Sequence, residues 1–376
     1  MSPHRAPSRA DLHVHTTFSD GTLTPEDILN YYAVYPELHV VAITDHDTLD
    51  GALRVREFRD AHADVFGGLE VIVGEEISSR EGHIVGLFLE HWVPPGLPAA
   101  DTVDRIHDQG GLAIAVHPYT HWLPFTDLKG VKDLILRLPF DAVETRNGNI
   151  TECYANYLAQ YRAWSHGLCQ VGASDGHFHE AIGCCYTLFD GLTASDLRAA
   201  IRQKTTRAAG RVWGPVTAAR YVAERWRAGK RLVPDRHEYR YEAGHGALTV
   251  RVSDASSVHV MVLHAEGALD ERTIDEFKEK VTAIPESGID LVLGLAGVTR
   301  VDSGGVTALI AAAKAAARAG TRVAIAEASP TVVRVLEVVH LDQAFESFPS
   351  EAAALSAFAR RRREHPARGG PGASHS

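Results

Sequence analysis

Residues 11–21, Asp-Leu-His-Val-His-Thr-Thr-Phe-Ser-Asp-Gly, restrict what this chain can fold into more than any other stretch. Leu12 to His15 reads as a strand, and side chains two apart in a strand point to the same face. His13 and His15 can therefore aim two imidazoles at one point, with Asp20 a few residues on. In a chain with 21 His, about one His-x-His is expected by accident. The weight therefore falls on whether later strands end in further ligand-type residues.

From Asp11 to about Arg211 short apolar runs alternate with amphipathic stretches. Strands are expected at Leu12–His15, Val40–Thr44, Glu70–Val73, Ile84–Leu89, Leu112–Val116, Ala142–Glu144 and Cys169–Gly172. Between them, Thr24-Pro25-Glu-Asp opens a helix with Thr as N-cap and Pro in the first turn. Further helices are expected through Leu53, Val55 and Phe58, over Thr102–Asp108, around Leu128–Leu138 and over Tyr154–Ser165. Repeated βα units with apolar strands imply a parallel sheet covered by helices, and about seven units point to a barrel.

The strands end in Thr44-Asp-His46, Gly74-Glu-Glu-Ile77, Val116-His117-Pro and Gly172-Ala-Ser-Asp175-Gly-His177. In β/α barrels the carboxyl ends of the strands line one rim, where such folds carry their sites. One such residue would be an ordinary solvated loop residue. A His or carboxylate after strand upon strand is not.

Composition narrows the partners. At 376 residues the chain is long enough for a barrel plus a smaller module, and its 45% hydrophobic content is that of an ordinary globular protein. No signal-peptide core stands at the N-terminus and no run reaches the length of a membrane span, so a cytoplasmic protein without a membrane partner is expected. Cys153, Cys169, Cys184 and Cys185 show no Cys-x-x-Cys spacing and read as buried, reduced thiols. A formal charge of -10 argues against a nucleic-acid partner. The basic run Arg360–Arg363 adjoins a Gly/Pro/Ser/His tail, and residues 359–376 read as a solvated, disordered end.

These residues carry a resemblance. The His-x-His with its following Asp, Thr-Asp-His-Asp, Gly-x-Glu-Ile-Ser, a Gly-His-Ile-x-Gly strand, His-Pro and Ser-Asp-x-His resemble the polymerase and histidinol phosphatase (PHP) family of metal-dependent phosphoesterases. The likeness covers residues 11 to about 210 and implies a distorted (β/α)7 barrel within a domain spanning 1–211. It implies two or three divalent ions. One would be held by His13, His15, Glu76 and Asp175, a second by Glu76, His83 and His117, and a third by Asp20, His46 and His177. Imidazole and carboxylate donors suit Zn, Mn or Fe, and the absence of Cys from the set disfavours a closed structural zinc site. Glu75 should point to the other side of its strand, and Asp45 and Asp47 are expected to orient His46. His121 and His179 read either as leaving-group proton donors or phosphate contacts, or as solvated rim residues. Arg146 reads either as a phosphate contact or as a surface Arg. Members often carry an Arg just after His-Pro, where this chain has Tyr119-Thr-His-Trp.

Residues 212–246 read as a linker with a helix over Thr217–Arg227, and a different rhythm occupies 247–358. Gly267-Ala-Leu-Asp270 and Val301-Asp-Ser-Gly-Gly-Val306, set among alternating strands and helices, resemble the STAS family, named for sulphate transporters and anti-sigma factor antagonists. The likeness implies a smaller α/β domain after the barrel. It makes Ser303 the phosphoacceptor for a partner that is both a serine kinase and an anti-sigma factor. Ser303 falls at a helix start, where its hydroxyl can cap the helix or a phosphate can meet free N–H groups. Many members have Asp where this chain has Gly294. The expected activity is hydrolysis of a small phosphorylated metabolite or nucleotide, with the second domain as sensor or docking unit. The alternative is an adaptor of the anti-sigma factor antagonist type, switched at Ser303, with the barrel as scaffold.

Overall fold

The computed structural model describes residues 6–34, 37–120, 130–227, 238–243, 246–252, 260–270, 273–286, 288–341 and 343–364. His121 and the last part of the expected tail, from residue 365, lie outside the described residues. The chain divides into two compact units, residues 1–237 and 238–376.

The first unit contains β1 (Ser8–Val14), α1 (Pro25–Val34), β2 (Leu38–Ile43), α2 (Asp50–Ala61), α3 (Ala63–Phe66), β3 (Glu70–Ser78), β4 (His83–Leu87) and α4 (Ala99–Asp108). It continues with β5 (Leu112–Ala115), β6 (Ala142–Asn147), α5 (Cys153–Ser165), β7 (Gln170–Ala173), β8 (Cys185–Phe189), α6 (Ala194–Arg202), β9 (Arg207–Gly210) and α7 (Pro215–Arg227). α1 starts as its sequence predicts: Thr24 and Asp27 exchange side-chain and backbone hydrogen bonds as a capping box, with Pro25 at the first helical position. Around Leu128–Leu138 the described part is a 3₁₀ segment, Lys132–Leu136, in place of the expected helix.

The strands form one nine-stranded sheet in the order β7-β6-β5-β4-β3-β2-β1-β8-β9. It curls until an isolated parallel bridge between Val14 and Gly176 brings the end of β7 to β1, so the sheet is a nearly closed, irregular barrel. The sheet is mixed where a parallel one was expected. β4 runs antiparallel to both β3 and β5, because only Ser79 to Gly82 separates β3 from β4, and a turn that short can only make a hairpin. β8 and β9 are likewise antiparallel additions beyond β1. Leu12, Val40, Ile72, Val85, Ile114 and Val171 pack into one core with Leu197 and Ile201 of α6.

The second unit holds a six-stranded sheet in the order β10-β11-β12-β13-β14-β15, formed by Glu238–Ala243, Gly246–Val252, Val260–Leu269, Asp290–Val301, Val323–Ala326 and Glu346–Phe348. Its helices are α8 (Ile274–Glu286), α9 (Ser303–Ala319), α10 (Pro330–Val338) and α11 (Glu351–Glu364). β10 pairs along its length with β11, so the sheet begins ahead of residue 247. α11 continues through residue 364, past the expected domain end at 358 and into the stretch read as a disordered tail. Ala354 and Phe358 anchor this helix in the core beneath β12, β13 and β14.

Candidate metal centre

Nine side chains meet at one rim of the barrel. Glu76, near the end of β3, is the hub. Its Oε1 lies 2.6 Å from His83 Nδ1 and 3.0 Å from His117 Nε2. Its Oε2 lies 3.1 Å from His13 Nε2, 3.2 Å from His15 Nε2 and 3.2 Å from His46 Nδ1. Asp175 Oδ1 sits 3.6 Å from His13 Nε2, 3.4 Å from His15 Nε2 and 3.5 Å from His177 Nδ1. Asp20 faces His177 Nε2 at 2.9 Å, His15 Nδ1 at 3.5 Å and His46 Nε2 at 3.9 Å. His83 joins from the start of its strand, since β4 runs antiparallel and its first residue lies beside the end of β3.

This donor set fits a group of divalent ions. Within each of three groups the donor atoms all lie within 4.8 Å of one another: His13, His15 and Glu76; His46, Glu76 and His83; and His15, Asp20, His46 and His177. His13 Nε2 and His117 Nε2 hydrogen-bond Glu76, but two other nitrogens converge on the same carboxylate without pairing. His15 Nε2 and His46 Nδ1 are buried and make no hydrogen bond among the described residues, although carboxylate oxygens lie close by. Lone pairs that share a focus but not a hydrogen-bond axis are arranged for an ion.

Charge coupling follows from burial. Desolvation alone would push the His13 and His15 imidazoles down, but Glu76 and Asp175 outweigh it, holding His13 well above its ordinary value and His15 up at about 10. His117 is held up to about 9 against burial, chiefly by Glu76. Burial would raise Glu76, Asp20 and Asp175, yet the surrounding imidazoles keep all three carboxyls well below the usual carboxylate range. Burial lowers His46 to about 3, with His15 and His83 adding to it and Glu76 and Asp20 opposing. Ligand groups of this kind must lose their protons to bind a cation, so uptake of an ion here would release protons.

Two sequence models match the chain: one described as PHP-associated over residues 154–206, and one described as STAS domain over residues 251–354. The chain belongs to the PHP family and carries a STAS domain. An uncharacterised protein of Methanocaldococcus jannaschii is 37% identical over 162 residues, 40% of this chain and 88% of that protein. A phosphoribosyl 1,2-cyclic phosphate 1,2-diphosphodiesterase of Eggerthella lenta is 36% identical over 99 residues, 26% of this chain and 37% of that protein. A crystal structure of an anti-sigma factor antagonist from Mycobacterium paratuberculosis is 23% identical, covers 29% of this chain and 92% of that chain, and superposes with a TM-score of 0.27.

The PHP barrel braces the nine residues from behind. Glu144, within β6, contacts His13 Nδ1 through Oε1 at 3.3 Å and accepts from the His117 backbone N–H at 2.7 Å. Asn147 Nδ2 donates to Glu144 Oε2 at 3.0 Å and to Asp175 Oδ2 at 3.2 Å. Glu144 ends the apolar run expected from the sequence and Asn147 lies beyond it; only the fold aims both at the ligands. Three of the residues here hold left-handed backbone, Asp47 (φ 53°), His117 (φ 28°) and Asp175 (φ 52°). That conformation costs a non-glycine residue about 1–3 kcal/mol and persists where surroundings over-determine it. Asp47 is pinned by the Ser78 N–H and hydroxyl donating to its carboxylate, and His117 by its bond to Glu144.

Several expectations need revision. Of the four cysteines only Cys169 and Cys185 are buried; Cys184 is half-buried and Cys153, on the outer side of α5, is exposed. Asp47 directs its carboxylate to the Ser78 N–H and hydroxyl, and Asp45 directs its own to another loop. Asp45 accepts from Thr16 N–H, the Thr16 hydroxyl and the Ser19 hydroxyl, which shapes the loop that carries Asp20. Glu75 does turn away, accepting from Val93 N–H. His179 is exposed and packs edge-on against Tyr31 at 4.5 Å, because buried Phe178 separates it from His177. Arg146 donates to the Gly210 carbonyl at 3.1 Å, and a register irregularity between Glu144 and Arg146 breaks the alternation that would have put both on one face. Neither residue makes a hydrogen bond, ion pair or ring contact to the cluster among the described residues.

In the STAS domain, Ser303 is the first residue of α9 and is exposed. The cap is Asp302, whose carboxylate accepts from Gly304 and Gly305 N–H, so Ser303 does not cap the helix. Gly294 leaves a space that the His264 ring fills, held there by Glu351 at 2.8 Å. No described helix is long and apolar enough to cross a membrane.

Proposed function

We propose that this chain is a metal-dependent phosphoesterase acting on a small phosphorylated metabolite or nucleotide, with its STAS domain as a regulatory docking module. The observation that supports this most is the single carboxylate, Glu76, shared by five imidazoles, with Asp20 and Asp175 closing the cluster on either side. His13, His15, Glu76 and Asp175 would hold one ion of Zn, Mn or Fe, Glu76, His83 and His117 a second, and Asp20, His46 and His177 a third. Such ions supply an acidified water and neutralise phosphoryl oxygens. Glu144 fixes the His13 ring, Asn147 ties Glu144 to Asp175, and Asp45 holds the Thr16–Ser19 loop that presents Asp20. Purified protein loaded with Mn or Zn should release phosphate from a panel of phosphomonoesters, cyclic phosphodiesters and nucleotides, and His15→Ala with Asp175→Ala should not. Inactivity of the metal-bound wild type across that panel would overturn the reading.

A second reading, a switched adaptor, is favoured by the exposure of Ser303 and by its freedom from the capping role. A phosphate there would compete with Asp302 for the same N–H groups and repel its carboxylate, altering the start of α9. A partner serine kinase of the anti-sigma factor type would then distinguish Ser303→Asp from Ser303→Ala in a pull-down. Equal binding of the two variants would sink this reading.

A further inference from the structure

Helix α5 presents its residues in the reverse of the usual order for a helix on a barrel surface. Its buried face is Ala155, Ala159 and Ala163, one small residue per turn. Its outer face carries Tyr154, Tyr157, Tyr161 and Trp164, which are 63%, 69%, 54% and 72% exposed. At roughly 100° per residue these four fall within an arc of about 80°. A solvated helix face normally carries charge, and a continuous apolar stripe marks a contact surface. The helix itself puts no charged residue in this stripe: Cys153 and Gln160 flank it, and Arg162 turns aside toward Asp133.

We propose that the aromatic face of α5 is the interface of a two-fold homodimer of this chain. The area fits that occupant. Aromatic side chains of about 200 Å² each, exposed to this extent, offer about 500 Å² of the roughly 800 Å² that each partner contributes to a standard interface. The chemistry fits as well. A two-fold pairing lays the row against its own image, ring on ring, with Tyr hydroxyls left at the edge for water. Two copies with a formal charge of -10 each repel, and an uncharged strip is where they can touch at least cost. A phosphate-bearing partner, whether nucleic acid or anionic membrane, would need Lys or Arg between the rings, and the stripe has none.

Sedimentation velocity of the full chain tests this. The wild type should sediment at twice the mass of the chain at micromolar concentration. Tyr157→Glu with Tyr161→Glu should weaken the dimer by about a hundredfold or more, as expected when two central aromatic anchors are lost. The thermal midpoint of that variant should stay at the value of a wild-type monomer. If the charged variant fails to fold, Tyr157→Ser with Trp164→Ser serves in its place. Amide hydrogen exchange over residues 153–165 of the wild type should slow as concentration rises. A wild type that stays monomeric to near-millimolar concentration would overturn the proposal. So would a dimer that persists in the variants, or protection of 153–165 that is independent of concentration, the sign of cover from within the same chain.

Discussion

Replacing Glu76 by Gln should remove most, but not all, of the metal capacity of the barrel. The substitution keeps the shape of the side chain but removes its charge, and it replaces one of two acceptor oxygens by an NH₂ donor aimed at imidazole nitrogens. Both oxygens are in use: Oε1 faces His83 and His117, and Oε2 faces His13, His15 and His46. Two of the three candidate ion groups therefore lose their shared anion, while the group of His15, Asp20, His46 and His177 does not contain Glu76. A free ion at about a hundred times its dissociation constant stabilises the native state by ~2.7 kcal/mol per site, which for a domain of this size corresponds to about 5–11 °C. Metal analysis after equilibrium dialysis should show the ion content falling to about one per chain, and the metal-induced rise in melting temperature should shrink in proportion. An unchanged ion content together with an unchanged thermal shift would refute the assignment of Glu76 as the hub.

Three further outcomes are expected. In metal-free protein, His15 and His117 are held up to about 10 and about 9 from an ordinary value of 6.5. Their contribution to stability is complete below pH 6.5 and fades as pH rises through 9 to 10. The apo barrel should therefore melt lower at the alkaline end of that window, as scanning calorimetry can read, and ion uptake near neutral pH should release protons. Asp45→Ala leaves the Thr16 N–H, the Thr16 hydroxyl and the Ser19 hydroxyl without their buried acceptor, and should cost about 3–5 kcal/mol in denaturant titrations. A loss well under 1 kcal/mol would show that the loop reorganises. Gly294→Asp would place a Cβ 2.3 Å from His264 Nδ1, so it should expel that ring from Glu351 and destabilise the STAS domain by about 1–3 kcal/mol, measured by the same titration.

Much of the architecture was legible from local signals. Seven apolar runs marked barrel strands, Thr24-Pro25 marked the start of α1, and a helix expected over Thr217–Arg227 corresponds to α7 at Pro215–Arg227. Residue type alone placed His13, His15, His46, Glu76, His117 and Asp175 after or at the ends of such strands, where a β/α fold gathers its polar groups. These readings succeed because strand alternation, caps and strand-end polarity are written within a few residues of each other.

Other features depended on partners far along the chain. The direction of β4 comes from its hairpin with β3, and it explains why His83, at the start of a strand, meets residues at the ends of others. The bracing by Glu144 and Asn147, the diversion of Arg146 to Gly210 and the packing of His179 on Tyr31 depend on register and on which helix lies outside the sheet. Even the cap of α9 was open locally, since Asp302 and Ser303 are both good capping residues and only the backbone path into the helix selects Asp302. The sequence by itself determined which chemical groups stand at the strand ends. The tertiary structure decided which of them face one another, because strand direction and register are properties of pairs of segments and no single segment carries them.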